Sequence, residues 1–374
     1  MKKALVHEWY YVCAGSEKCV KSFLNIWDDF DLFALIDFLS PEDRLEYIKG
    51  KSVNTSFVQH LPFAKSNYRS MLPLFPLAIE QFDLSEYDLI LSNTHAVAKG
   101  VLTRPDQLHI SYCHSPIRYA WDLYHQYLRE SGLDSGLKGA LAKYFLHKIR
   151  IWDQSTRNRV DYFLANSKYT AARIKKIYEK DATVIYPPVE VNRFPLNESK
   201  DSFYLTASRF VPYKKIDLIV EAFSTMPDKK LVVIGDGPDK EKIKAKAKSN
   251  IEFTGYVSDE EMTNLFRKAK AFVFAAVEDF GIVVVEAQAA GTPVIALNKA
   301  GTAETVIDGF NGVHFSEQSV PSIAGAVKRF DSIADSLSPS EISKYAQQFS
   351  RELYEQNIKN YIDAKSDEFF SKRV

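Results

Sequence analysis

Residues 273–296 read VFAAVEDFGIVVVEAQAAGTPVIA. The apolar run Phe272 to Val277 is typical of a buried parallel strand, and Val283 to Ala290 is typical of a helix that ends before Pro293. Glu278 then stands at the carboxyl end of a strand, the edge at which open α/β sheets bind ligands. The stretch therefore predicts an α/β fold with a ligand site just after this strand.

The predicted helix start offers backbone N–H groups and a partial positive charge to an anion. The residues concerned are Phe280, Gly281, Ile282 and Val283. Glu286 follows one turn later, within reach of hydroxyl groups on the same ligand. One interpretation is a sugar-binding Glu278, phosphate-binding amides and a ribose-binding Glu286. The other is that Glu278 ends the strand and Glu286 is a solvated helix residue.

The composition is that of a globular chain with more than one domain. Its 374 residues are 46% hydrophobic and 26% charged, which is enough for two domains with sizeable cores. Lys and Arg together number 48, and so do Asp and Glu. The overall charge therefore favours no nucleic acid or other polyanion as a partner.

The sequence shows no export signal, disulfide pattern or membrane span. The three cysteines, Cys13, Cys19 and Cys113, lack C-x-x-C spacing, which argues against a zinc site or a disulfide framework. The apolar start becomes polar at His7, so no signal peptide is expected, and no apolar run is long enough to cross a bilayer. We therefore expect a cytoplasmic protein.

Short apolar strands alternate with helical stretches twice along the chain, which is typical of parallel sheets covered by helices. In the first half we predict strands at Ala4–His7, Leu32–Ile36, Ser56–Gln59, Leu89–Ser92, His109–Tyr112 and Tyr162–Ala165. In the second half we predict strands at Phe203–Ala207, Leu231–Ile234, Ile251–Thr254, Ala271–Phe274 and Val294–Ala296. Pro187 and Pro188 mark a linker between the halves. The pattern predicts two doubly wound, Rossmann-like α/β domains facing a central cleft.

A basic cluster follows the linker, in the segment SRFVPYKKIDLIVEAF of residues 208–223. Arg209 and Lys214 come after a predicted strand, on the sheet edge where Glu278 is also expected. Two cations there would hold a diphosphate and stabilise it as it leaves. The alternative is a solvated basic turn.

Several loops at the same predicted edges have weaker signals. Gly235 and Gly237 permit close backbone approach after a strand, and the main chain at Val257 could read a nucleobase, although Ser258 also fits a helix cap. In the first half, Gly15 and Ser16 follow a strand but lack the G-x-G-x-x-G dinucleotide spacing. His114 ends another strand and could hydrogen-bond a sugar hydroxyl. A lone histidine is more often structural.

Together these segments resemble the family 4 glycosyltransferases. The resemblance is carried by E-D-F-G-x4-E at Glu278–Glu286, R-F-V-P-Y-K at Arg209–Lys214, G-D-G-P at Gly235–Pro238 and G-Y-V-S-D at Gly255–Asp259. It implies a GT-B fold, a nucleotide-sugar donor, retention of anomeric configuration and a glycan or lipid-linked saccharide acceptor. It also implies an N-terminal acceptor-side domain over 1–187, a nucleotide-sugar domain over 188–345 and a helical segment over 346–374 that packs back on the first domain.

The resemblance also implies roles for individual residues. Glu278 would contact the donor sugar and Glu286 the ribose, while Arg209 and Lys214 would hold the diphosphate. His114 would sit beside the transferred sugar, and the backbone around Val257 would read the base. The chain departs from the family pattern at two places, because Ala14 and Lys215 stand where many members have glycine.

The stretch HISYCHSPIRYAWD, residues 109–122, is similar to the family's bacterial surface-polysaccharide mannosyltransferases. We therefore predict GDP-mannose as donor. A carboxylate at Asp259 could accept both N1–H and N2–H₂ of guanine, or it could be a solvated first-turn acid. With cations already at the phosphates, no metal cofactor is expected. The D-x-D triplet at Asp29–Asp31 is interpreted as a turn on the opposite edge.

Leu137 to Val160 could form a membrane-surface contact, because six basic residues there are interleaved with large apolar ones and only Asp153 is acidic. A helix packed on its own domain with its cations in solvent fits equally well.

Three other functions also stay open at this point. They are a UDP-sugar-dependent enzyme of the same family, another GT-B enzyme such as a 2-epimerase or phosphorylase, and a non-catalytic sugar-binding module.

Overall fold

A computed structural model describes residues 1–11 and 14–371. Cys13, one of the cysteines considered above, lies outside these residues. The chain forms two compact units, one made of Met1–Tyr186 with Tyr354–Val374 and the other of Pro187–Leu353. We call these unit 1 and unit 2. The predicted divisions fall after residues 187 and 345.

The described residues of each unit contain one parallel sheet, which confirms the predicted doubly wound α/β class. The strands of unit 1 are β1 Lys3–Tyr10, β2 Phe30–Asp37, β3 Val53–Thr55, β4 Leu89–Thr94, β5 Leu108–Cys113, β6 Tyr162–Ala165 and β7 Ala182–Val184. Those of unit 2 are β8 Tyr204–Ala207, β9 Leu231–Ile234, β10 Ile251–Gly255, β11 Ala271–Phe274, β12 Val294–Leu297 and β13 Gly312–Phe315. The orders are β3-β2-β1-β4-β5-β6-β7 and β10-β9-β8-β11-β12-β13.

Helices connect the strands and cover the sheets. In unit 1 they are α1 Gly15–Ile26, α2 Pro41–Ile48, α3 Ala64–Asn67, α4 Phe75–Ile79, α5 Tyr124–Glu130, α6 Gly136–Ser155 and α7 Lys168–Tyr178. The remaining α-helices are α8 Ile216–Ser224, α9 Lys240–Lys244, α10 Asp259–Lys268, α11 Ile282–Ala289, α12 Thr302–Thr305, α13 Val320–Ile333, α14 Pro339–Ala346 and α15 Arg351–Ser371. Short 3-10 helices lie at Phe57–His60, Tyr68–Leu74, Ala98–Gly100, Thr156–Arg159, Val191–Arg193, Pro212–Lys214, Ala334–Ser336 and Gln347–Phe349.

The predicted strand at Ser56–Gln59 is wrong. The strand in this region is β3, and Ser56 instead caps the 3-10 helix Phe57–His60, where its hydroxyl accepts a hydrogen bond from the Val58 amide at 3.2 Å. A serine hydroxyl that bonds the backbone two residues on competes with a strand ladder, which explains the change of conformation.

The strand before Glu278 is shorter than predicted, because β11 ends at Phe274 rather than Val277. Beyond Phe274 the carbonyl of Ala275 accepts a hydrogen bond from the Gln318 side chain at 2.8 Å instead of continuing the ladder. Glu278 therefore lies in a loop beyond the strand end. The helix that follows begins one residue earlier than predicted.

The cores explain why the two units are compact. In unit 2 buried side chains of the sheet, such as Tyr204 in β8 and Phe315 in β13, pack with α8 and α13. In unit 1 the α15 residues Tyr354, Ile358 and Ile362 pack in the same core as Phe23. No helix in the described part of the chain is both long enough and apolar enough to cross a bilayer.

Candidate functional site

In the sheet of unit 2 the order in which the chain adds strands reverses between β8 and β11. From β8 the chain continues to β9 on one side, whereas β11 lies on the other side. The loops that leave the carboxyl ends of β8 and β11 therefore diverge, which creates the crevice where doubly wound sheets bind ligands. Lys214 follows β8 and Glu278 follows β11, so the sheet order brings two of the predicted site residues to this position.

Lys214 and Glu278 form an ion pair through Nζ and Oε1. Both side chains are partly buried, with 17% and 22% of their surface exposed. Lys214 is the last residue of the 3-10 helix Pro212–Lys214, and the backbone carbonyl of Glu278 accepts a 2.9 Å hydrogen bond from the Gly301 amide. The backbone of each partner is thus held by hydrogen bonds within unit 2.

Arg209 is exposed on the loop after β8. The amide of Ser208 donates to the Ile234 carbonyl at 3.1 Å, and the amide of Phe210 donates to the Asp236 carbonyl at 2.9 Å. These bonds hold the backbone on both sides of Arg209, while the residue itself is exposed to solvent.

The glycines of G-D-G-P serve this loop. A Cβ on Gly235 would lie 1.9 Å from the Ser208 carbonyl oxygen, and one on Gly237 would lie 2.5 Å from the Phe210 oxygen. Both are impossible contacts, because heavy atoms at these distances overlap. The close approach expected from the sequence is therefore made to the Arg209 loop.

Lys215 has left-handed backbone angles, with φ of 57° and ψ of 30°, where it caps the start of α8. A side chain with a Cβ is strained in this region, whereas glycine is not. This conformation explains why glycine suits the position, and the lysine found here therefore carries a structural cost.

Lys215→Gly is expected to raise the midpoint of thermal unfolding by about 2 °C, because relief of the strained φ is worth about 0.5–1 kcal/mol after the extra backbone entropy of glycine is subtracted. Scanning calorimetry of the full chain would measure it. Lys242→Gly, within α9, is the matched control and should lower the midpoint. A lower midpoint for Lys215→Gly as well would contradict the proposed strain.

Helix α11 begins at the same sheet edge. Gly281 precedes it with a φ of 87°, and the ring of Phe280 is buried against Phe349 at 5.5 Å between centroids. The helix geometry gives the amides of Ile282 and Val283 no carbonyl partner within the helix. Together with the helix dipole they form a positive end beside the Lys214–Glu278 pair.

Glu286 is buried in α11, so the interpretation of a solvated helix residue is wrong for it. It lies in the second turn of the helix, one turn after the amides of Ile282 and Val283. Gly301 was not among the predicted site residues, yet a Cβ on it would lie 2.3 Å from the Phe280 Cα. The turn signal Ala-Gly-Thr after β12 could have revealed this close approach.

Val257 lies in the loop after β10, and Asp259 is the first residue of α10. Ser258 caps this helix by accepting a hydrogen bond from the Glu261 amide at 3.2 Å, as the sequence predicted. The Asp259 carboxylate is 80% exposed and forms a 2.7 Å ion pair with Arg193. It is therefore already engaged, whereas the guanine argument supposed an uncommitted acceptor.

The predicted loop residues of unit 1 lie at the carboxyl edge of its own sheet. Gly15 and Ser16 begin α1, so Gly15 has helical backbone angles rather than unusual ones. The Ser16 hydroxyl donates to Glu17 Oε2 at 2.9 Å. Burial tends to raise the pKa of Glu17, but hydrogen bonds from His7, Ser16 and the Ala14 amide outweigh it and lower the pKa to about 2.

His114 directly follows β5 and is a neighbour of this loop. Its Nε2 lies 2.7 Å from Asn93 Oδ1, and the Asn93 amide donates to the Ser16 carbonyl at 3.0 Å. Burial lowers the pKa of His114 to about 3, so the imidazole is neutral at physiological pH. A neutral imidazole that donates through Nε2 keeps Nδ1 as an acceptor.

In the described part of the chain, no group of three or more His, Cys, Asp or Glu side chains is arranged to hold a metal ion. The paired carboxylate and the cations in unit 2 suit a phosphorylated ligand, because they combine positive charge with an acceptor for hydroxyl groups.

Two family models match the chain in succession. Residues 34–193 match the model described as Glycosyltransferase Family 4, and residues 189–349 match Glycosyl transferases group 1. An uncharacterized glycosyltransferase of Methanocaldococcus jannaschii is 34% identical over 158 residues, 41% of this chain and 44% of that protein. A GDP-mannose-dependent monoacylated alpha-(1-6)-phosphatidylinositol monomannoside mannosyltransferase of Corynebacterium glutamicum is 32% identical over 39% of this chain and 47% of its own length.

The chain thus spans about half the length of the curated relatives that it matches. Among solved structures, HepE from Anabaena in complex with UDP and glucose superposes with a TM-score of 0.69 at 18% identity, over 97% of this chain and 100% of that one. With two parallel sheets of this order and two glycosyltransferase domain matches in succession, the chain belongs to the family 4 glycosyltransferases with the GT-B fold.

Proposed function

We propose that this protein is a retaining glycosyltransferase that moves mannose from GDP-mannose to a glycan or lipid-linked acceptor in bacterial surface polysaccharide synthesis. The observation that carries the transferase proposal is the Lys214–Glu278 pair at the switch point of the second sheet, beside the positive end of α11. That combination offers cations to a diphosphate and a carboxylate to the sugar attached to it.

In the proposed reaction the leaving diphosphate takes the largest share of the new negative charge. Lys214, Arg209 and the α11 amides stabilise that charge from fixed positions, which is electrostatic catalysis of the preorganised kind. Glu278 orients the sugar hydroxyls and Glu286 the ribose. The nucleoside diphosphate departs from the same face at which the acceptor enters, and it assists removal of the acceptor's proton. These cations serve in place of a metal ion.

Two observations bear on the donor, and they differ. The Corynebacterium relative is named as GDP-mannose-dependent, whereas the HepE structure contains UDP and glucose. The ion pair of Asp259 with Arg193 weakens the argument that Asp259 reads guanine, because the contact occupies Oδ1. The choice of GDP-mannose therefore rests on the named relative and on the resemblance of residues 109–122.

GDP is expected to stabilise the protein more than UDP or ADP at equal concentration. A nucleotide at 100 times its Kd adds about 2.7 kcal/mol to the free energy of unfolding, which raises the thermal midpoint by about 5 °C. Differential scanning fluorimetry in EDTA would measure nucleotide binding. A panel of nucleotide sugars with saccharide acceptors, also in EDTA, would measure sugar transfer without a metal. A larger shift with UDP would contradict the GDP assignment, and activity that requires Mg²⁺ or Mn²⁺ would contradict metal independence.

We also propose that α6 contacts an anionic membrane surface. Leu137, Leu141, Tyr144 and Ile151 are exposed and recur at intervals of three, four or seven residues, so they share one face of the helix. Such a face suits the interface between lipid headgroups and acyl chains.

Not all of the basic residues in this segment are available to contact lipid. Lys138, Lys143 and Lys148 are exposed. Arg157 pairs with Glu179, and Arg159 pairs with Glu80, so these two arginines are used within unit 1. The proposed contact is therefore residues 137–151 rather than the full segment Leu137 to Val160.

Sedimentation with phosphatidylglycerol vesicles at low salt would test this contact. We expect the protein to bind these vesicles, with the three lysines adding about 3 kcal/mol in total to the binding free energy. Salt at about 0.5 M should remove the binding, because it screens these charges. The double variant Leu141→Ser, Tyr144→Ser should lose most of it. Leu45→Ser, at an exposed site on α2, is the control and should bind like the wild type. Equal binding by both variants would sink the proposal.

A further inference from the structure

A second cluster of titratable side chains lies at the carboxyl edge of the unit 1 sheet, and the proposed chemistry has not used it. Glu8 is in β1, His95 directly follows β4 and His114 directly follows β5. Strands β4 and β5 are neighbours, with Thr94 opposite Cys113. The two imidazoles consequently lie next to each other, with ring centroids 6.5 Å apart.

The Glu8 carboxylate is fully buried, and its two oxygens have different surroundings. Oε1 accepts four hydrogen bonds, from the Thr94 hydroxyl at 2.8 Å and from the amides of Ala96 at 2.9 Å, His95 at 3.0 Å and Ala98 at 3.1 Å. Burial tends to raise the pKa of Glu8, but His95, His7 and the Ala98 amide outweigh it and hold the pKa far below its ordinary value. The group is therefore ionised.

Oε2 of Glu8 makes no hydrogen bond of regular geometry with any residue that the structure describes. Two imidazole nitrogens lie near Oε2, Nδ1 of His95 at 3.2 Å and Nδ1 of His7 at 3.8 Å. Both His7 nitrogens have other partners, since Nδ1 lies 3.0 Å from the Asn93 carbonyl and Nε2 lies 3.2 Å from Glu17 Oε1. Of these two imidazoles, His95 is thus the one with a proton to give to Oε2.

A buried ionised oxygen without a donor is costly, so this contact fixes the proton of His95 on Nδ1. Nε2 is then a hydrogen-bond acceptor. Within residues 1–11 and 14–371 nothing hydrogen-bonds to it, and 29% of the His95 side chain is exposed. The Trp9 ring packs edge-on against the imidazole with centroids 4.7 Å apart, which further fixes its orientation.

We propose that His95, held in the Nδ1–H form by Glu8, accepts a hydrogen bond at Nε2 from the attacking hydroxyl of the saccharide acceptor. The inference rests on the proposed transferase function, and it makes His95 an acceptor-binding residue of that reaction. Its position beside His114, which the family resemblance implies to lie near the transferred sugar, agrees with this role.

The substitution His95→Asn separates this role from a structural one. The new side-chain N–H can replace Nδ1–H toward Glu8, but the amide has no atom in the place of Nε2. With octyl glycosides as acceptors, we expect His95→Asn to raise the acceptor KM about tenfold, the loss of roughly one hydrogen bond. The donor KM and the thermal midpoint should stay as in the wild type. His60→Asn, at an exposed histidine, is the matched control.

The imidazole itself gives a second readout. Long-range ¹H–¹⁵N spectra of the full chain, assigned through His95→Asn, should show His95 protonated on Nδ1, and Glu8→Gln should shift the proton to Nε2. A wild-type Nε2–H form would overturn the inference, and so would wild-type acceptor KM in His95→Asn. If instead the wild type transfers sugar to none of the acceptors from any donor, the proposed function itself fails and the role of His95 falls with it.

Discussion

Lys214→Ala is expected to lower the turnover of sugar transfer by about 10²- to 10³-fold, the usual cost of removing one preorganised charge at a developing anion. Two physical effects contribute to this loss of turnover. The variant removes a cation from the leaving diphosphate, and it leaves the Glu278 carboxylate without the ammonium that it contacts in the structure. An unpaired carboxylate beside the phosphates would repel them.

A double-mutant cycle tests this coupling. Because Glu278 becomes repulsive only when Lys214 is absent, Glu278→Gln should cost less in the Lys214→Ala background than in the wild type. Steady-state kinetics with the preferred donor would give the four rates. Lys242→Ala, at an exposed lysine on α9, is the control and should leave turnover unchanged. Additive losses would show that the two side chains act independently.

The largest effect on stability is expected from Lys99→Ala, at about 3–5 kcal/mol. Lys99 and Asp153 are both buried, and Nζ lies 2.8 Å from Oδ1. Lys99 Nζ also donates to the Asp153 carbonyl at 3.1 Å and to the Thr156 hydroxyl. Asp153 accepts further bonds from Trp121 Nε1 at 2.7 Å and from the Tyr178 hydroxyl at 3.0 Å. Removal of the lysine leaves a buried carboxylate that has lost its counter-charge.

Tryptophan fluorescence can follow this loss in unit 1 alone. All four tryptophans, at positions 9, 27, 121 and 152, belong to that unit. We expect Lys99→Ala to lower the unfolding midpoint by about 10 °C. The charge-free pair Lys99→Met, Asp153→Asn should recover much of the loss, because the asparagine oxygen can still accept from Trp121 and Tyr178. Lys138→Ala, at an exposed position on α6, should change little. A small shift for Lys99→Ala would mean that the buried pair contributes almost nothing.

The sequence did not reveal this network, although it contains Asp153. In the sequence Asp153 is only the single acid of a basic segment, and Lys99 is 54 positions away. Which charges become buried together depends on how α6 packs on the Ala98–Gly100 turn, and no local pattern encodes that contact. The same holds for Glu8 and His95, which are 87 positions apart.

The sequence by itself determined the fold class and the edge of the sheet where the candidate site lies. Alternating apolar strands and helices require parallel sheets, and parallel strands carry the loops after them to one edge, so Lys214 and Glu278 could be assigned to that edge without coordinates. Only the tertiary structure decided the pairings: Glu278 with Lys214, Asp259 with Arg193, and a buried Glu286. The physical reason is that strand periodicity fixes which edge a residue occupies, whereas the partner of a charge depends on packing between elements distant in sequence.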